Sequence, residues 1–287
     1  MPSTREIRRR IRSVRNMSQI TRAMEMVSAS KMRRAQQNVT ASRPYSERIE
    51  EVIADLSAIE LDADEMNQFP LLQQREVKRS AVILITPDKG LTGSLNSNII
   101  RRATRYVLHE ANVPVEVIAA GKKGRDFMIR THQEIAAEFT AIGDRPTLDD
   151  IRPIVEVALN DFESGKVDAV YVVYAKFVNT LSQVPEARQV LPIRRPEGRG
   201  TYTDYIFEPS PVEVLNALLP RYIEVQVYQA MLESIASEHS ARMVAMRNAT
   251  ENAKDLVTDL SLSYNKARQS QITREVSEIA AGANALR

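Results

Sequence analysis

Two glycine-bearing turns are the segments of this chain whose residues could bind phosphate. The turn over residues 87–96, PDKGLTGSLN, follows an apolar run and precedes a helical pattern, as phosphate-binding loops do. No Gly-Lys-Ser/Thr follows a glycine at the required spacing, and Gly121-Lys122-Lys123 has Glu116 where the first glycine should be. The dinucleotide fingerprint G-x-G-x-x-G is also missing. The sequence therefore predicts a chain-reversing turn and no cofactor.

Other catalytic arrangements are equally hard to assemble from these residues. The three histidines, His109, His132 and His239, are scattered and lack metal-ligand spacing, so they are interpreted as surface or packing residues. Cysteine is absent, which excludes a thiol nucleophile, a disulfide and a cysteine-ligated metal. No serine lies in a G-x-S-x-G elbow, and the acidic residues are spread along helices. We therefore expect no catalytic residue and no metal site.

Glycine and proline placement divides the chain into three parts. Eight of the nine glycines lie between residues 90 and 200, and no proline follows Pro220. Long helices at both ends are thus predicted to flank a turn-rich middle. The hydrophobic content of 43% and charged content of 26% are ordinary for a folded protein. The longest purely apolar run, residues 81–85, is too short to span a bilayer.

One long helix is predicted over residues 3–59. Ser3 and Glu6 form a capping-box signature at its start, and Pro44 is expected to kink it. Apolar residues at helical spacing define the predicted seam, namely Ile7, Ile11, Val14, Met17, Ile20, Met24, Val27, Ala35, Val39, Ile49, Val52, Ile53, Leu56 and Ile59.

This first helix also carries the strongest charge feature of the chain. Ten basic and two acidic residues lie between residues 5 and 34, a net charge of +8 in a chain whose total is +2. A solvated helical face is the ordinary explanation, but the excess is larger than solubility requires and favours an acidic partner. A basic coiled-coil adaptor for nucleic acid is the alternative, although no aromatic residue before Val39 could stack on bases.

The middle of the chain alternates strand and helix patterns. A linker is expected over residues 60–79 and an α/β domain over residues 80–208. Strands are predicted at 80–86, 114–121, 134–142, 167–177 and 186–193, with helices ending near residues 110, 130 and 162 between them. This order indicates an open, partly parallel sheet of the Rossmann-like α/β class.

The last helix is predicted from Pro211 to Ala285, with Ser210 and Glu213 as its start signal and a kink at Pro220. Its predicted seam is Met246, Ala249, Ala253, Val257, Leu260, Tyr264, Ala267, Ile272, Val276, Ile279, Ala283 and Leu286. Such a seam needs a partner, so residues 1–59 and 209–287 are predicted to form an antiparallel coiled coil. The last helix should project about 30 Å beyond the first and be exposed there.

Several segments, taken together, resemble the gamma-subunit family of F-type ATP synthases. They are IRSVRNMSQITRAMEMVSASKMRRAQ, ASRPY, TPDKGLTGSLN, IFEPSPVEVLNALLPRYIEVQVYQAMLES, SEHSARMVAMRNATENA and YNKARQSQITREVSEI, in order along the whole chain. The resemblance implies a non-catalytic central rotor shaft that couples proton-driven c-ring rotation to ATP synthesis or hydrolysis. It implies three alpha and three beta subunits, epsilon and the c ring as partners, with no nucleic acid and no membrane insertion. It also implies a peripheral location at the cytoplasmic face of the bacterial plasma membrane.

The resemblance further assigns partner-binding residues by position. Those expected to contact the alpha/beta ring are Arg9, Arg10, Met24, Arg33, Arg34, Arg242, Gln269, Thr273, Glu275, Ile279 and Leu286. Tyr205, Phe207 and Glu208 are expected to face epsilon and the c ring. Thr92 stands where the family often has cysteine. Lys254 and Asp255 differ from an Arg-Gln pair in some bacterial members, which leaves a polar latch at that position open.

Two functions of other classes also stay open at this point. The nucleic-acid adaptor would bind DNA with a steep dependence on salt. A nucleotide-binding enzyme built on the α/β domain would bind ATP through that domain alone.

Overall fold

The computed structural model describes residues 3–57, 69–193, 208 and 210–285. Two long helices, α1 over Thr4–Ser57 and α5 over Pro211–Ala285, enclose an α/β segment in the chain order. The chain divides into two compact units, a smaller one of Met1–Ser28 with Arg242–Arg287 and a larger one of Ala29–Ala241. The domain limits expected from the sequence stay a prediction.

The larger unit is built on a five-stranded sheet in the order β3-β2-β1-β4-β5. Its strands are β1 over Ser80–Ile85, β2 over Val115–Ala120, β3 over Glu134–Phe139, β4 over Ala169–Phe177 and β5 over Gln183–Leu191. The first four strands are parallel, and β5 runs antiparallel to β4. Strands β1 and β2 are buried along their whole length, as parallel strands covered on both faces must be. The partly parallel α/β sheet is therefore confirmed.

Helices cover both faces of this sheet. Helix α2 spans Leu95–Arg105 and ends in a π-helical turn over Tyr106–Glu110, α3 spans Lys122–Arg130, and α4 spans Leu148–Glu163. One hydrophobic core joins the sheet to α2 and α3. The other core joins the sheet to α4, to residues 35–53 of α1 and to the first third of α5.

Local signals account for the limits of these elements. The amide of Glu6 donates to Ser3 Oγ over 3.3 Å, and the amide of Glu213 donates to Ser210 Oγ over 3.2 Å, so both predicted N-caps are formed. Both long helices continue through their internal prolines. Strand β3 ends three residues earlier than expected, because Ala141 adopts a φ of 60° and its amide donates to Asp88 instead of the sheet.

The smaller unit is an antiparallel pair formed by the start of α1 and the end of α5. Thr4 bonds Gln271 over 3.3 Å, Arg8 lies 5.4 Å from the ring centre of Tyr264, and Thr21 Oγ1 lies 2.8 Å from Thr250 Oγ1. Residue numbers fall on one helix as they rise on the other. The predicted antiparallel pairing is therefore present within this unit.

On α1 the seam of this pair departs from the predicted seam after Val14. Ile7 and Ser28 are buried, and Ile11, Val14, Ser18, Thr21 and Glu25 are half-buried, whereas Met17, Ile20 and Val27 are 56%, 61% and 56% exposed. The inward positions keep a strict alternation of four and three residues from Ile7, and the apolar residues after Val14 lie one position off that alternation. On α5 the predicted seam is confirmed as far as Ala267, with Met246 and Ala253 buried and Ala249 half-buried, and Thr250 is buried beside it.

The end of α5 is exposed, as expected from the sequence. All residues from 268 to 281 are exposed, and Ile279 reaches 73%. Because Thr4 pairs with Gln271, the fourteen following residues of α5 extend about 20 Å past the start of α1. This projection is shorter than the expected 30 Å, since the register places Thr4 further along α5 than assumed. Among the described residues, no helix is both long and apolar enough to cross a bilayer.

The same substitution at two isoleucines of α1, one in both seams and one only in the predicted seam, tests whether Ile20 is buried. We expect Ile7→Gln to reduce the protection of amides in residues 4–28 by about 1–3 kcal/mol, because a buried side chain is replaced by a polar one. Ile20→Gln should change protection by no more than about 0.5 kcal/mol, because Ile20 faces solvent. Native-state hydrogen exchange measures both variants. A larger loss for Ile20→Gln would restore the predicted seam.

Candidate partner-binding surfaces

The glycine-bearing turn after β1 is used to hold the α/β domain together. Asp88 Oδ1 accepts the amide of Lys122 over 2.8 Å, and Oδ2 accepts the amide of Ala141 over 2.9 Å. Thr86 Oγ1 accepts the amide of Gly124 over 2.8 Å. The amides of Lys122 and Gly124 belong to the first turn of α3, where a phosphate-binding loop would present free donors. Here side chains from the neighbouring strand end occupy them.

Gly121 is required at this junction for steric reasons. Its φ is +121°, and a Cβ at this position would lie 1.8 Å from the carbonyl oxygen of Thr86. The close approach lets the chain turn from β2 into α3 beside the end of β1. The motif PDKGLTGSLN and the Gly121 turn thus form one connected structure.

His239 is a packing residue of α5 and is 1% exposed. Its Nε2 lies 3.2 Å from Asp144 Oδ1, and Lys31 Nζ donates to Asp144 Oδ2. Burial alone would raise the pKa of Asp144, but the Lys31 hydrogen bond and the charges of His239, Lys31 and Lys89 hold that pKa below its usual value. The cluster ties α1 and α5 to the loop after β3 within the larger unit.

Glu116 in β2 is a buried charge that the sequence analysis did not single out as such. It is fully buried, with Lys166 Nζ 3.0 Å and Arg79 Nη2 3.5 Å from its carboxylate. Burial raises the pKa of Glu116, and the hydrogen bond from Lys166 offsets part of that rise. A glutamate inside the apolar run VEVIAA was the available signal, because a buried carboxylate needs cationic partners nearby.

The outward face of α1 carries the first candidate partner surface. Met17, Ile20, Met24 and Val27 follow one another at spacings of three, four and three residues, and we call them the apolar row. All are exposed except Met24, which is half-buried. Arg9, Arg10, Arg33 and Arg34 are all exposed, and only Arg10 has an ion pair among the described contacts, 3.4 Å from Glu6. Helix α1 therefore carries both the apolar row and exposed arginines.

The end of α5 carries the second candidate surface. Gln269, Thr273, Glu275 and Ile279 are exposed, and Arg242 is half-buried. Thr273 Oγ1 donates to the carbonyl of Gln269, and Gln271 donates to Glu275, so these two hydrogen bonds lie within α5. Ile272, Val276 and Ile279 form an exposed apolar strip, called here the α5 strip. It lies one position off the seam that reaches Gln271.

Other residues expected to bind partners are described only in part. Glu208 is exposed, and so are Lys254 and Asp255 at the position of the possible latch. Tyr205, Phe207 and Leu286 lie outside the described residues. Their roles stay predictions.

The fold and these surfaces define a class of protein, an α/β domain inserted between two long helices that pair in antiparallel. A family model described as ATP synthase matches residues 3–286. Proteins named ATP synthase gamma chain from Roseiflexus castenholzii and Chloroflexus aurantiacus are 60% and 57% identical, each over 100% of this chain and 99% of their own length. The chain belongs to the gamma-subunit family of F-type ATP synthases.

Solved structures support the same fold at lower identity. A chain of the Euglena gracilis mitochondrial ATP synthase, in a structure described as OSCP/F1/c-ring in rotational state 3, matches with a TM-score of 0.72 at 21% identity. The match covers 99% of this chain and 94% of that one. A chain from the Tetrahymena thermophila mitochondrial ATP synthase central stalk and c-ring matches with a TM-score of 0.59 at 24% identity, over 80% of this chain and 99% of that one.

The Asp144 cluster makes stability depend on pH in a defined direction. Because the folded pKa of Asp144 is depressed, its contribution is present above the unfolded value of 3.8 and is lost as the pH falls through the folded pKa. Asp144→Asn should lower the unfolding free energy at pH 7 by about 1 kcal/mol or less, since the side chain is partly solvated. Urea unfolding at pH 7 and at about pH 2 should show a smaller deficit at the acidic pH, where the Asp144 carboxylate is protonated in both the folded and the unfolded chain. Asp149→Asn, at a carboxylate that is 80% exposed, is the control; a deficit independent of pH would contradict the assignment.

Proposed function

We propose that this chain is the central rotor shaft of an F-type ATP synthase. In this role the coiled coil, residues 1–59 and 209–287, turns inside a ring of three alpha and three beta subunits. Residues 60–79 link it to the foot, residues 80–208, which is held by epsilon and the c ring. Rotation of the c ring, driven by protons, would then be coupled to ATP synthesis or hydrolysis at the beta subunits. The full-length likeness to proteins named ATP synthase gamma chain supports this role.

The observation that carries the proposal is the outward-facing apolar row of α1, which lies beside polar seam positions in the smaller unit. A self-sufficient coiled coil places its large apolar residues in the seam and polar residues outside. Here Thr21, Glu25 and Thr250 occupy seam positions, while Met17, Ile20 and Val27 face outward. Exposed apolar rows of this length mark contact with another chain. A shaft enclosed by a ring of subunits is such a contact on every side.

Charge supports the same partner. The apolar row lies within the stretch of net charge +8, and Arg12, Arg15 and Arg22 beside it are exposed. The positive charge of these arginines favours an acidic partner surface. Methionine suits a surface that meets several conformations of one partner, because its flexible thioether adapts to irregular contacts. Met24 and Met17 are such residues.

The two helices differ on their outer faces, and coupling requires such a difference. Helix α1 presents arginines and the apolar row, whereas the end of α5 presents the α5 strip and polar residues such as Gln269 and Thr273. Three identical beta subunits around this pair would meet different faces at any one angle. A rotor can drive conformational change only through such differential contact.

The chain itself is proposed to be non-catalytic and peripheral. Asp88 and Thr86 already bond the amides at the start of α3, which supports a connecting role for the turn at the end of β1. Relatives from Roseiflexus and Chloroflexus support a bacterial complex, with this chain at the cytoplasmic face of the plasma membrane. Tyr205, Phe207 and Glu208 are proposed to contact epsilon and the c ring.

Replacement of the three exposed residues of the apolar row should uncouple the complex without unfolding the chain. We expect Met17→Gln, Ile20→Gln and Val27→Gln together to lower proton-driven ATP synthesis about tenfold or more, because contacts made only with the moving partners are lost. The free energy of unfolding should change by less than about 1 kcal/mol, because all three side chains face solvent. Synthesis and ATP hydrolysis are measured after reconstitution with matching alpha, beta, epsilon and c subunits.

Leu181→Gln is the control for this triple variant, because Leu181 is 82% exposed and lies in the larger unit. It should leave synthesis unchanged. Hydrolysis by alpha and beta that is indifferent to the presence of this chain would refute the rotor assignment.

A further inference from the structure

A groove runs between α2 and α3 on the outer face of the α/β domain. Its volume is about 600 Å³, and the residues that shape it include Ile100, Arg101, Arg105, His109, Phe127 and Arg130. A smaller hollow of about 100 Å³ shares Phe127 with the groove and adds Leu108. The groove thus combines an apolar floor with basic walls. None of the partner-binding residues predicted above belongs to it.

The basic groups of the groove have no counter-charge among the residues that the structure describes. No ion pair of Arg101, Arg105 or Arg130 occurs within the described part of the chain, and no carboxylate lines the groove there. Arg102, on the same helix but facing away, donates to both oxygens of Glu110 over 2.9 and 3.0 Å. The arginines of α2 are therefore paired outside the groove and unpaired inside it, which favours an anionic occupant.

The end of α2 adds apolar surface to this basic wall. Residues Tyr106–Glu110 form a π-helical turn, in which the amide of Ala111 donates to the carbonyl of Tyr106 over 2.9 Å. Such turns contain an extra residue, change the direction of the following side chains and are frequent at functional sites. Leu108 in this turn is 60% exposed. Arg130 lies over the ring of Phe127 at 5.6 Å from its centre, so apolar and basic groups adjoin in the groove, and this combination fits an amphipathic partner.

We propose that this groove binds an acidic amphipathic helix of another protein. Arg101 and Arg105 lie one helical turn apart, about 6 Å along α2, so they match carboxylates one turn apart on a second helix. His109 continues the row to about 12 Å, which is longer than the compact cluster that one phosphate group needs. The apolar stripe of the partner helix packs on Ile100, Phe127 and Leu108, as in other helix-in-groove complexes.

A designed peptide tests this site on the full-length chain. The probe is a fluorescein-labelled helical 18-mer with glutamates at every fourth position and leucines on the adjoining stripe, and binding is measured by fluorescence anisotropy. Arg101→Glu and Arg105→Glu should each weaken binding about tenfold or more, because an attractive pair becomes a repulsive one. Leu108→Ser should weaken it about threefold or more through lost apolar contact.

The matched control is Arg145→Glu, an exposed arginine of the larger unit outside the groove. It should leave peptide binding unchanged. A peptide whose glutamates are all glutamines should not bind. Equal weakening by Arg145→Glu would reduce the effect to general charge attraction and overturn the proposal.

Two further outcomes decide between an acidic helix and a small anion. Inorganic triphosphate should compete with the peptide only through ionic strength, so sodium chloride of equal ionic strength should compete equally. Stronger competition by triphosphate, with Leu108→Ser inert, would overturn the helix in favour of a phosphate site. Urea unfolding of each variant checks folding, and Arg105→Gln replaces Arg105→Glu if the latter is destabilised; unchanged peptide binding by a folded Arg105→Gln would also overturn the proposal.

Discussion

Two helices that pair along their length can each bury only one face of side chains. In the smaller unit, the choice of that face decides which residues are left exposed to partners. The buried row alternates four and three residues and carries hydroxyl, carboxylate and small side chains around Thr21 and Thr250. Hydrogen bonds satisfy this row, as between the two threonines and between Glu25 and Arg247 at 3.0 Å. The apolar row is consequently turned outward. The function proposed for the helix pair depends on this outward position of the apolar row.

The larger unit, in contrast, buries its large apolar residues inside and is stabilised by its own core. The α5 segment there buries side chains on several sides, among them Leu219, Val227 and Ala236. Phe69, Leu71 and Leu72, which precede β1, also join the core. A domain that buries its apolar residues internally can keep its shape while its outer surfaces bind partners. The groove between α2 and α3 lies on such a surface.

The sequence predicted the elements well where the signal was local. Serine caps at Ser3 and Ser210 fixed both helix starts, and continuous apolar runs such as that of β1 identified the buried strands. The antiparallel direction of β5 was not predicted, because strand patterns alone do not specify pairing. The π-helical turn over Tyr106–Glu110 was also missed, since its residues favour an ordinary helix.

On α1 after Val14 the seam was assigned to the wrong residues, for a physical reason that matters to function. A helical pattern identifies a seam when only one phase is apolar, but here Val14 and Val27 fit different phases of α1. Hydrophobicity alone selects the phase with more apolar residues. In the structure, the buried positions are those whose side chains let the two helices approach closely and form hydrogen bonds. Ser18 and Thr21 are smaller than Met17 and Ile20, and they therefore face the partner helix. The apolar row is therefore left exposed. Because an isolated coiled coil would not keep such a row in water, the row indicates where partner chains bind.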